Sequence, residues 1–176
     1  MSLRIPVSGS DHAQGNLDAA VVLVEYGDYQ CPYCGQAAPL VKRLQQRFGA
    51  GLCLVFRNFP LSEVHPQALP AAVVAEHAAR SGRFWEAHDV LYANQPSLGE
   101  ALYRRIAQTL GLPWPALLQA MEDGPELARV QADFEGGVRS GVNGTPTFFI
   151  NGSRFEPASG FDELFDAIGA IVDGRR

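Results

Sequence analysis

The chain has 176 residues, enough for one domain with a sizeable core or for one domain with a large insertion. Apolar residues make up 47% and charged residues 19%, which is typical of a soluble globular protein. The formal net charge of −5 argues against a nucleic-acid-binding protein, which usually carries a basic patch.

No apolar stretch approaches the roughly 20 residues that a membrane-spanning helix needs. Residues 1–16 are polar and lack the apolar core of a secretory signal. We therefore expect no membrane span and a cytoplasmic location. A periplasmic or other extracytoplasmic location is the alternative if an export signal has been removed.

The first third of the chain predicts a strand, a helix and a second strand. After a polar lead-in with at most a short strand at Leu3–Val7, the apolar run Val21–Tyr26 predicts a buried strand. A helix is expected to begin near Cys31 and to end at Gly49, and Leu52–Phe56 predicts the next strand. Such a unit is right-handed, with its two strands parallel.

Residues 62–140 show no convincing strand and predict a block of short helices between two parts of a sheet. Helical patterns separated by glycines occupy five segments: Gln67–Arg80, Phe84–Tyr92, Glu100–Leu110, Pro115–Met121 and Glu126–Val138.

The C-terminal part predicts a hairpin and a final helix. Thr147–Ile150 and Ser153–Phe155 are separated by Asn-Gly, the strongest two-residue hairpin signal. Phe161–Val172 has its apolar residues on one helical face and predicts an amphipathic helix.

Two of the three cysteines form the motif Cys31-Pro32-Tyr33-Cys34 at the predicted strand-to-helix junction. Free N–H groups and the helix dipole stabilise a thiolate at Cys31, and the pKa of such thiols falls from about 8.5 to between about 3.5 and 7.5. Cys34, one turn further along, is expected to be more buried and to resolve a mixed disulfide formed at Cys31. A disulfide framework needs more cysteines, and a zinc site needs a second ligand pair, so the motif favours a redox couple.

Glu25 lies six positions before Cys31, at the end of an otherwise apolar strand. Burying a carboxylate there is costly unless the group is used or paired. Two interpretations are open. Either Glu25 is a buried acid with a raised pKa that exchanges protons with Cys34 through a water, or it points from the strand end into solvent.

The segment Gly144-Thr145-Pro146-Thr147 opens the predicted hairpin. A proline at the start of a strand marks an edge or a bend, because it cannot donate to the ladder. Since cis X–Pro bonds are rare, the local residues alone favour a trans bond before Pro146.

Taken together, these features resemble thioredoxin-fold proteins of the DsbA-like branch, including those fused to sodium/proton antiporters. The resemblance rests on the strand running into the Cys-x-x-Cys motif, on the segment 144–152 and on the helical block between them. It covers nearly the whole chain. It implies an α/β thioredoxin fold, a parallel βαβ unit plus an antiparallel ββα unit, formed by residues 1–61 and 141–176, with residues 62–140 as an inserted helical subdomain.

The resemblance also implies residue roles. Cys31 matches the exposed nucleophile, Cys34 the buried resolving thiol and Glu25 the buried acid. Pro146 matches a cis-proline beside the disulfide, and the backbone of Thr145 would pair with an extended substrate segment. Two further residues, Pro32 and Tyr33, are assigned with them to the substrate-binding surface.

Tyr33 departs from the pattern of strong DsbA-type oxidases, which usually carry a histidine at this position. Without that positive charge the Cys31 thiolate should be less stable. We therefore expect a reduction potential nearer the glutaredoxin range of roughly −200 to −230 mV than the strongly oxidising value of about −120 mV.

The expected function is thiol–disulfide exchange with cysteine-containing proteins or peptides, without a cofactor other than the Cys31–Cys34 disulfide. A redox partner, either a reductase or a membrane oxidase, is implied. Two alternatives stay open. One is a glutathione-dependent isomerase or transferase of the same fold, which the presence of Cys34 disfavours. The other is a metal-binding Cys-x-x-Cys domain, in which two thiolates alone leave a zinc site incomplete.

The remaining candidate side chains are expected to be structural. Cys53 lies in an apolar run and is expected to be a small buried apolar residue. Trp85 is expected to pack in the core or in a groove wall. The histidines are dispersed, and none is expected to bind a metal: His12, His65, His77 and His88.

Overall fold

The computed structural model describes residues 1–174, which contain a five-stranded mixed sheet in the order β1-β3-β2-β4-β5. The strands are β1 His12–Gln14, β2 Val21–Gly27, β3 Leu52–Asn58, β4 Thr147–Ile150 and β5 Ser153–Phe155. Strands β2 and β3 are parallel, and the other neighbours are antiparallel. The predicted parallel unit and the predicted hairpin are therefore confirmed.

Seven α-helices accompany the sheet in the described part of the chain. They are α1 Pro32–Phe48, α2 Ala68–Ala79, α3 Phe84–Ala93, α4 Glu100–Leu110, α5 Trp114–Asp123, α6 Pro125–Arg139 and α7 Glu163–Gly174. Helices α2–α6 all fall within residues 62–140, the segment predicted to be inserted. None of the helices within residues 1–174 is both long and apolar enough to cross a lipid bilayer.

Local sequence explains where the elements nearest the site begin and end. Pro32 occupies the first turn of α1, where its missing N–H leaves no hydrogen bond unmade. The helix stops at Gly49, whose φ of +47° suits a residue without a side chain. In the β4–β5 hairpin, Asn151 and Gly152 both have positive φ, at 48° and 81°, as a tight two-residue turn requires.

The prediction of a first strand at Leu3–Val7 is wrong. The first strand is β1, which pairs antiparallel with β3. Pro6 cannot donate to a sheet ladder, and the side chains of Leu3 and Val7 instead pack against the apolar cluster beneath the sheet.

The two faces of the sheet bury different clusters because side chains alternate along each strand. On one face, residues such as Leu23, Leu54 and Phe148 pack against α1 and α7. On the other, Val24 and Phe149 pack with residues from the N-terminal segment and α6. This arrangement fixes α1, and with it the Cys-x-x-Cys motif, at the end of β2.

Helices α2–α6 contribute most of a third apolar cluster, and α3 contacts α1. Phe84 and Leu91 are buried in it, and Trp85 is half-buried against it, as expected for a packing residue. Cys53 is completely buried in the cluster beneath the sheet, in agreement with the expectation of a small apolar residue.

Candidate active site

Cys31 is the N-cap residue of α1, and Cys34 lies one turn inside the helix. Both thiols are free, and the Cys34 side chain is completely buried. Cys31 is only 4% exposed, which is less than expected for an exposed nucleophile. The cause is a second segment of chain, since the Sγ of Cys31 lies 3.4 Å from the carbonyl oxygen of Thr145.

The pKa of the Cys31 thiol is lowered to about 5. The main cause is the neighbouring Cys34 thiol, which acts as a hydrogen-bond donor to the Cys31 sulfur, and the N–H groups of Tyr33 and Cys34 add to it against the opposing effect of burial. At neutral pH Cys31 is therefore a thiolate, the form that attacks a disulfide and leaves most readily from one.

The pKa of Cys34 is shifted in the opposite direction, well above its ordinary range. Burial is the largest cause, and the negative charges of Glu25 and Cys31 add to it. The backbone N–H of Asp28 counters these effects, because it donates to the Cys34 sulfur over 3.5 Å. Two thiols with pKa values this far apart suit the roles of nucleophile and proton-holding resolving group.

Glu25 is buried, with 2% exposure, and lies in register between Phe56 of β3 and Phe148 of β4. The interpretation that it points into solvent is therefore wrong. Its Oε1 has no hydrogen-bond partner among the described residues, and burial raises its pKa to about 8. A carboxyl group with this pKa both accepts and releases a proton near neutral pH.

A cavity of about 200 Å³ between α1 and α3 reaches Glu25. Its polar lining includes the side chains of Gln14, Lys42, Asp89 and Tyr92. A cavity of this volume with polar walls has room for ordered water. Water in it would connect the Glu25 carboxyl group with solvent.

The segment Gly144–Thr147 lies against the motif although more than a hundred residues separate them in sequence. The Thr145–Pro146 peptide bond is cis, as the family resemblance implies and contrary to the expectation from the local residues alone. Thr145 and Pro146 are half-buried, whereas Pro32 is exposed and Tyr33 is 64% exposed beside them. The structure thus brings all four proposed substrate-binding residues to one region around Cys31.

Sequence reasoning missed two side chains that hold the turn before α1. The Nε2 of Gln95, in the connection between α3 and α4, donates to the carbonyl oxygens of Tyr29 and Cys31, both over 2.8 Å. The Oδ1 of Asp28 accepts from the N–H groups of Gln30 and Cys31. An aspartate in a turn commonly accepts from backbone N–H groups two or three residues further on, a signal that could have identified Asp28. No local signal could have identified Gln95, because its partners are distant in sequence.

The histidines all have hydrogen-bond partners. Three lie beside carboxylates, in the pairs His12–Glu76, His65–Asp28 and His77–Glu126. His88 is hydrogen-bonded to the hydroxyl of Tyr29 over 3.0 Å, and burial lowers its pKa to about 3. No group of three or more side chains able to hold a metal ion occurs within residues 1–174.

This fold and this pair of thiols agree with the comparisons to known proteins. A model of the thioredoxin family matches residues 7–170, so the chain belongs to the thioredoxin family. The α/β thioredoxin fold and the DsbA-like resemblance are confirmed by solved structures. Wolbachia pipientis alpha-DsbA1 has a TM-score of 0.81 at 18% identity, over 98% of this chain and 95% of that one. A thioredoxin-like oxidoreductase from Silicibacter pomeroyi has a TM-score of 0.78 at 27% identity, over 92% of both chains.

Among curated proteins, the chain is similar to a much longer one. It is 40% identical over 177 aligned positions to Na(+)/H(+) antiporter NhaA 1 of Salinispora arenicola. The alignment covers 100% of this chain but 27% of that protein. The chain therefore spans about a quarter of the length of the curated relatives it matches.

Proposed function

We propose that the chain exchanges disulfides with cysteine-containing proteins or peptides through the Cys31/Cys34 pair. The observation that carries this proposal is the contrast between the two thiols: a pKa of about 5 at Cys31 and a strongly raised pKa at the buried Cys34. The thioredoxin fold and the likeness to a thioredoxin-like oxidoreductase support the same class of activity.

In the reducing direction, the Cys31 thiolate attacks one sulfur of a substrate disulfide. A mixed disulfide forms, and the other substrate sulfur leaves as a thiolate and takes a proton from solvent. Cys34 then gives its proton to the ionised Glu25 carboxylate, through water, and attacks the Cys31 sulfur. This step forms the Cys31–Cys34 disulfide and releases the second substrate thiolate.

In the oxidising direction the same steps run backwards. A substrate thiolate attacks Cys31 of the Cys31–Cys34 disulfide, and Cys34 leaves as a thiolate that takes a proton from the protonated Glu25. The second cysteine of the substrate, once ionised, then attacks the substrate sulfur that is bonded to Cys31. This step forms the substrate disulfide and releases the Cys31 thiolate. A redox partner restores the starting state, and its potential decides which direction dominates.

The proposed substrate surface consists of Pro32, Tyr33, Thr145 and Pro146. The backbone of Thr145 would pair with an extended substrate segment, as in strand addition, and so place a substrate sulfur next to Cys31. The exposed ring of Tyr33 offers an apolar contact beside it. We propose a cytoplasmic location, with the extracytoplasmic alternative retained.

Insulin reduction in the presence of dithiothreitol tests this function. Cys31→Ser should abolish turnover, and Cys34→Ser should accumulate mixed disulfides that appear on non-reducing gels. Cys53→Ala is the matched control. Cys53 is also buried, but it lies on the face of the sheet opposite to the one that packs against α1, so this substitution should leave turnover unchanged. Normal turnover in Cys31→Ser contradicts the proposal.

The glutathione-dependent alternative makes a different prediction for the same variants. A transferase or isomerase would conjugate or rearrange small electrophiles with glutathione and would not need Cys34. Glutathione conjugation that survives Cys34→Ser, together with no reduction of insulin by the unmodified chain, would favour that alternative.

A further inference from the structure

The carboxylate of Asp28 joins the turn before α1 to a separate loop between β3 and α2. The side chain is completely buried. Its Oδ1 accepts from the N–H groups of Gln30, over 2.8 Å, and Cys31, over 3.2 Å. Its Oδ2 accepts from the N–H of Leu61, over 3.0 Å, and lies 2.7 Å from Nδ1 of His65. The carboxylate therefore fixes the position of its own residue from two sides.

The backbone of the same residue contacts a reacting atom. The N–H of Asp28 donates to the Sγ of Cys34 over 3.5 Å. Cys34 has no solvent exposure, so a negative charge on its sulfur has few ways to be stabilised. The Asp28 N–H stabilises that sulfur most in the step where the thiolate forms, since hydrogen bonds to charged groups are stronger than those to neutral ones.

His65 completes the anchor from outside the motif. A carboxylate only accepts hydrogen bonds, so Nδ1 of His65 must be the donor in this contact. The histidine side chain is 19% exposed, whereas the Asp28 side chain has no exposure. The β3–α2 loop therefore holds the Asp28 carboxylate, and with it the turn and the Asp28 N–H, through two donors, the N–H of Leu61 and the Nδ1 of His65.

We propose that Asp28 and His65 are a positioning pair that sets the reactivity of Cys34 by holding the Asp28 N–H against its sulfur. The proposal rests on the proposed function, because it concerns the step in which Cys34 attacks the mixed disulfide at Cys31. In that step the Cys34 thiolate forms a bond to the Cys31 sulfur, and the substrate sulfur leaves with the electron pair. The Asp28 N–H stabilises the attacking thiolate, and neither Asp28 nor His65 takes up its proton.

The two thiols can be followed separately with 5,5′-dithiobis(2-nitrobenzoate), in a Cys53→Ala background. The Cys31 thiolate attacks the reagent and releases one coloured thiolate, leaving a mixed disulfide. Cys34 then displaces the second coloured thiolate as it forms the Cys31–Cys34 disulfide. The first phase reports Cys31, and the second phase, measured at limiting reagent, reports Cys34.

Three substitutions and one control test the pair. Because each weakens the anchor of a hydrogen bond to a charged group, His65→Leu and Asp28→Asn should slow the second phase by roughly tenfold, with the first phase changed by less than about threefold. His65→Asn keeps a donor near the place of Nδ1 and should recover most of the rate. His77→Leu is the matched control: His77 also faces a carboxylate through Nδ1, over 2.8 Å from Glu126, but lies in α2 away from the motif, and both phases should stay unchanged.

The outcomes separate this inference from the proposed function. A second phase within about twofold of the unsubstituted rate in both His65→Leu and Asp28→Asn overturns the positioning role, as does an equal slowing of both phases. If His65→Leu fails to fold, shown by its near-ultraviolet circular dichroism, the second phase of Asp28→Asn decides the question alone. Release of only one coloured thiolate by the unsubstituted chain defeats the proposed function itself, and this inference with it.

Discussion

The sulfur of Cys31 lies 3.4 Å from the carbonyl oxygen of Thr145, a residue 114 positions further along the chain. This contact brings the start of α1 and the start of β4 together at one end of the adjacent strands β2 and β4. The same sulfur accepts from the Cys34 thiol and from the backbone N–H of Tyr33, whose side chain is exposed. We therefore expect a substrate sulfur that reaches Cys31 to meet the Thr145–Pro146 backbone.

The ionisation of Cys31 gives the first prediction. Thiolate absorbance near 240 nm, followed against pH in reduced protein, should show a midpoint near pH 5. Cys34→Ala should raise that midpoint, because it removes the main hydrogen-bond donor to the Cys31 sulfur. Cys53→Ala should leave the midpoint where it is. A midpoint at the ordinary thiol value of about 8.5 contradicts the account of the site.

Burial of Glu25 predicts a pH-dependent cost to stability. The folded pKa, about 8, lies above the ordinary value of 4.5, so the folded state holds the proton more tightly than the unfolded state. The stability that Glu25 contributes is complete below about pH 4.5 and is lost as the pH rises through about 8. Across this window the full difference is on the order of 5 kcal/mol.

Urea unfolding of Glu25→Gln and the unsubstituted chain at several pH values measures this effect. The variant should gain stability relative to the unsubstituted chain as the pH rises from 5 to above 8 by about the amount just given. Glu122→Gln, an exposed position in α5, is the control and should show no such trend. A pH-independent difference for Glu25→Gln would show that its carboxyl group titrates at an ordinary pH.

The reduction potential is predicted from the side chain at Tyr33, which carries no positive charge. Equilibration with glutathione buffers should give a value in the range of roughly −200 to −230 mV, and a value near −120 mV contradicts the expectation. Tyr33→His should shift the potential to a less negative value, because a positive charge near Cys31 stabilises its thiolate and hence the reduced form. Since Tyr33 is 64% exposed, the substitution should leave the stability of the fold unchanged.

Pro146 is predicted to serve substrate release and not folding. Pro146→Ala removes ring atoms next to the Thr145 backbone that faces Cys31, so turnover of insulin should fall or mixed disulfides should persist for longer. The variant should remain folded. Pro115→Ala, at the start of α5, is the control. Unchanged kinetics in Pro146→Ala would remove the substrate-surface role.

Patterns of local sequence predicted most of the fold. Apolar runs located β2 and β3, and Asn151-Gly152 fixed the hairpin, since these signals depend on neighbouring residues only. The first strand was misplaced, because β1 is three residues long and pairs with β3 without a strong pattern of its own. Its identity comes from a partner strand some forty residues away.

The residues of the candidate site were also only partly predictable from local sequence. Cys31 and Cys34 are recognisable from their spacing, and Glu25 from its place in an apolar strand. The near-complete burial of Cys31 could not be predicted, because Thr145 covers it from the far end of the chain. Gln95 and His65 carry no local signal, since each acts on the turn before α1 through a hydrogen bond to a distant segment.

Disulfide transfer in a single turnover tests the central claim most directly. The chain, oxidised at Cys31–Cys34 and freed of oxidant, is mixed with a reduced two-cysteine peptide, and both products are quantified by mass spectrometry. The account predicts one peptide disulfide formed for each Cys31–Cys34 disulfide reduced. Cys34→Ser, mixed instead with the oxidised form of the peptide, should hold that peptide as a mixed disulfide on Cys31. Peptide oxidation that persists in Cys31→Ser, or no oxidation and no adduct in any form, would contradict it.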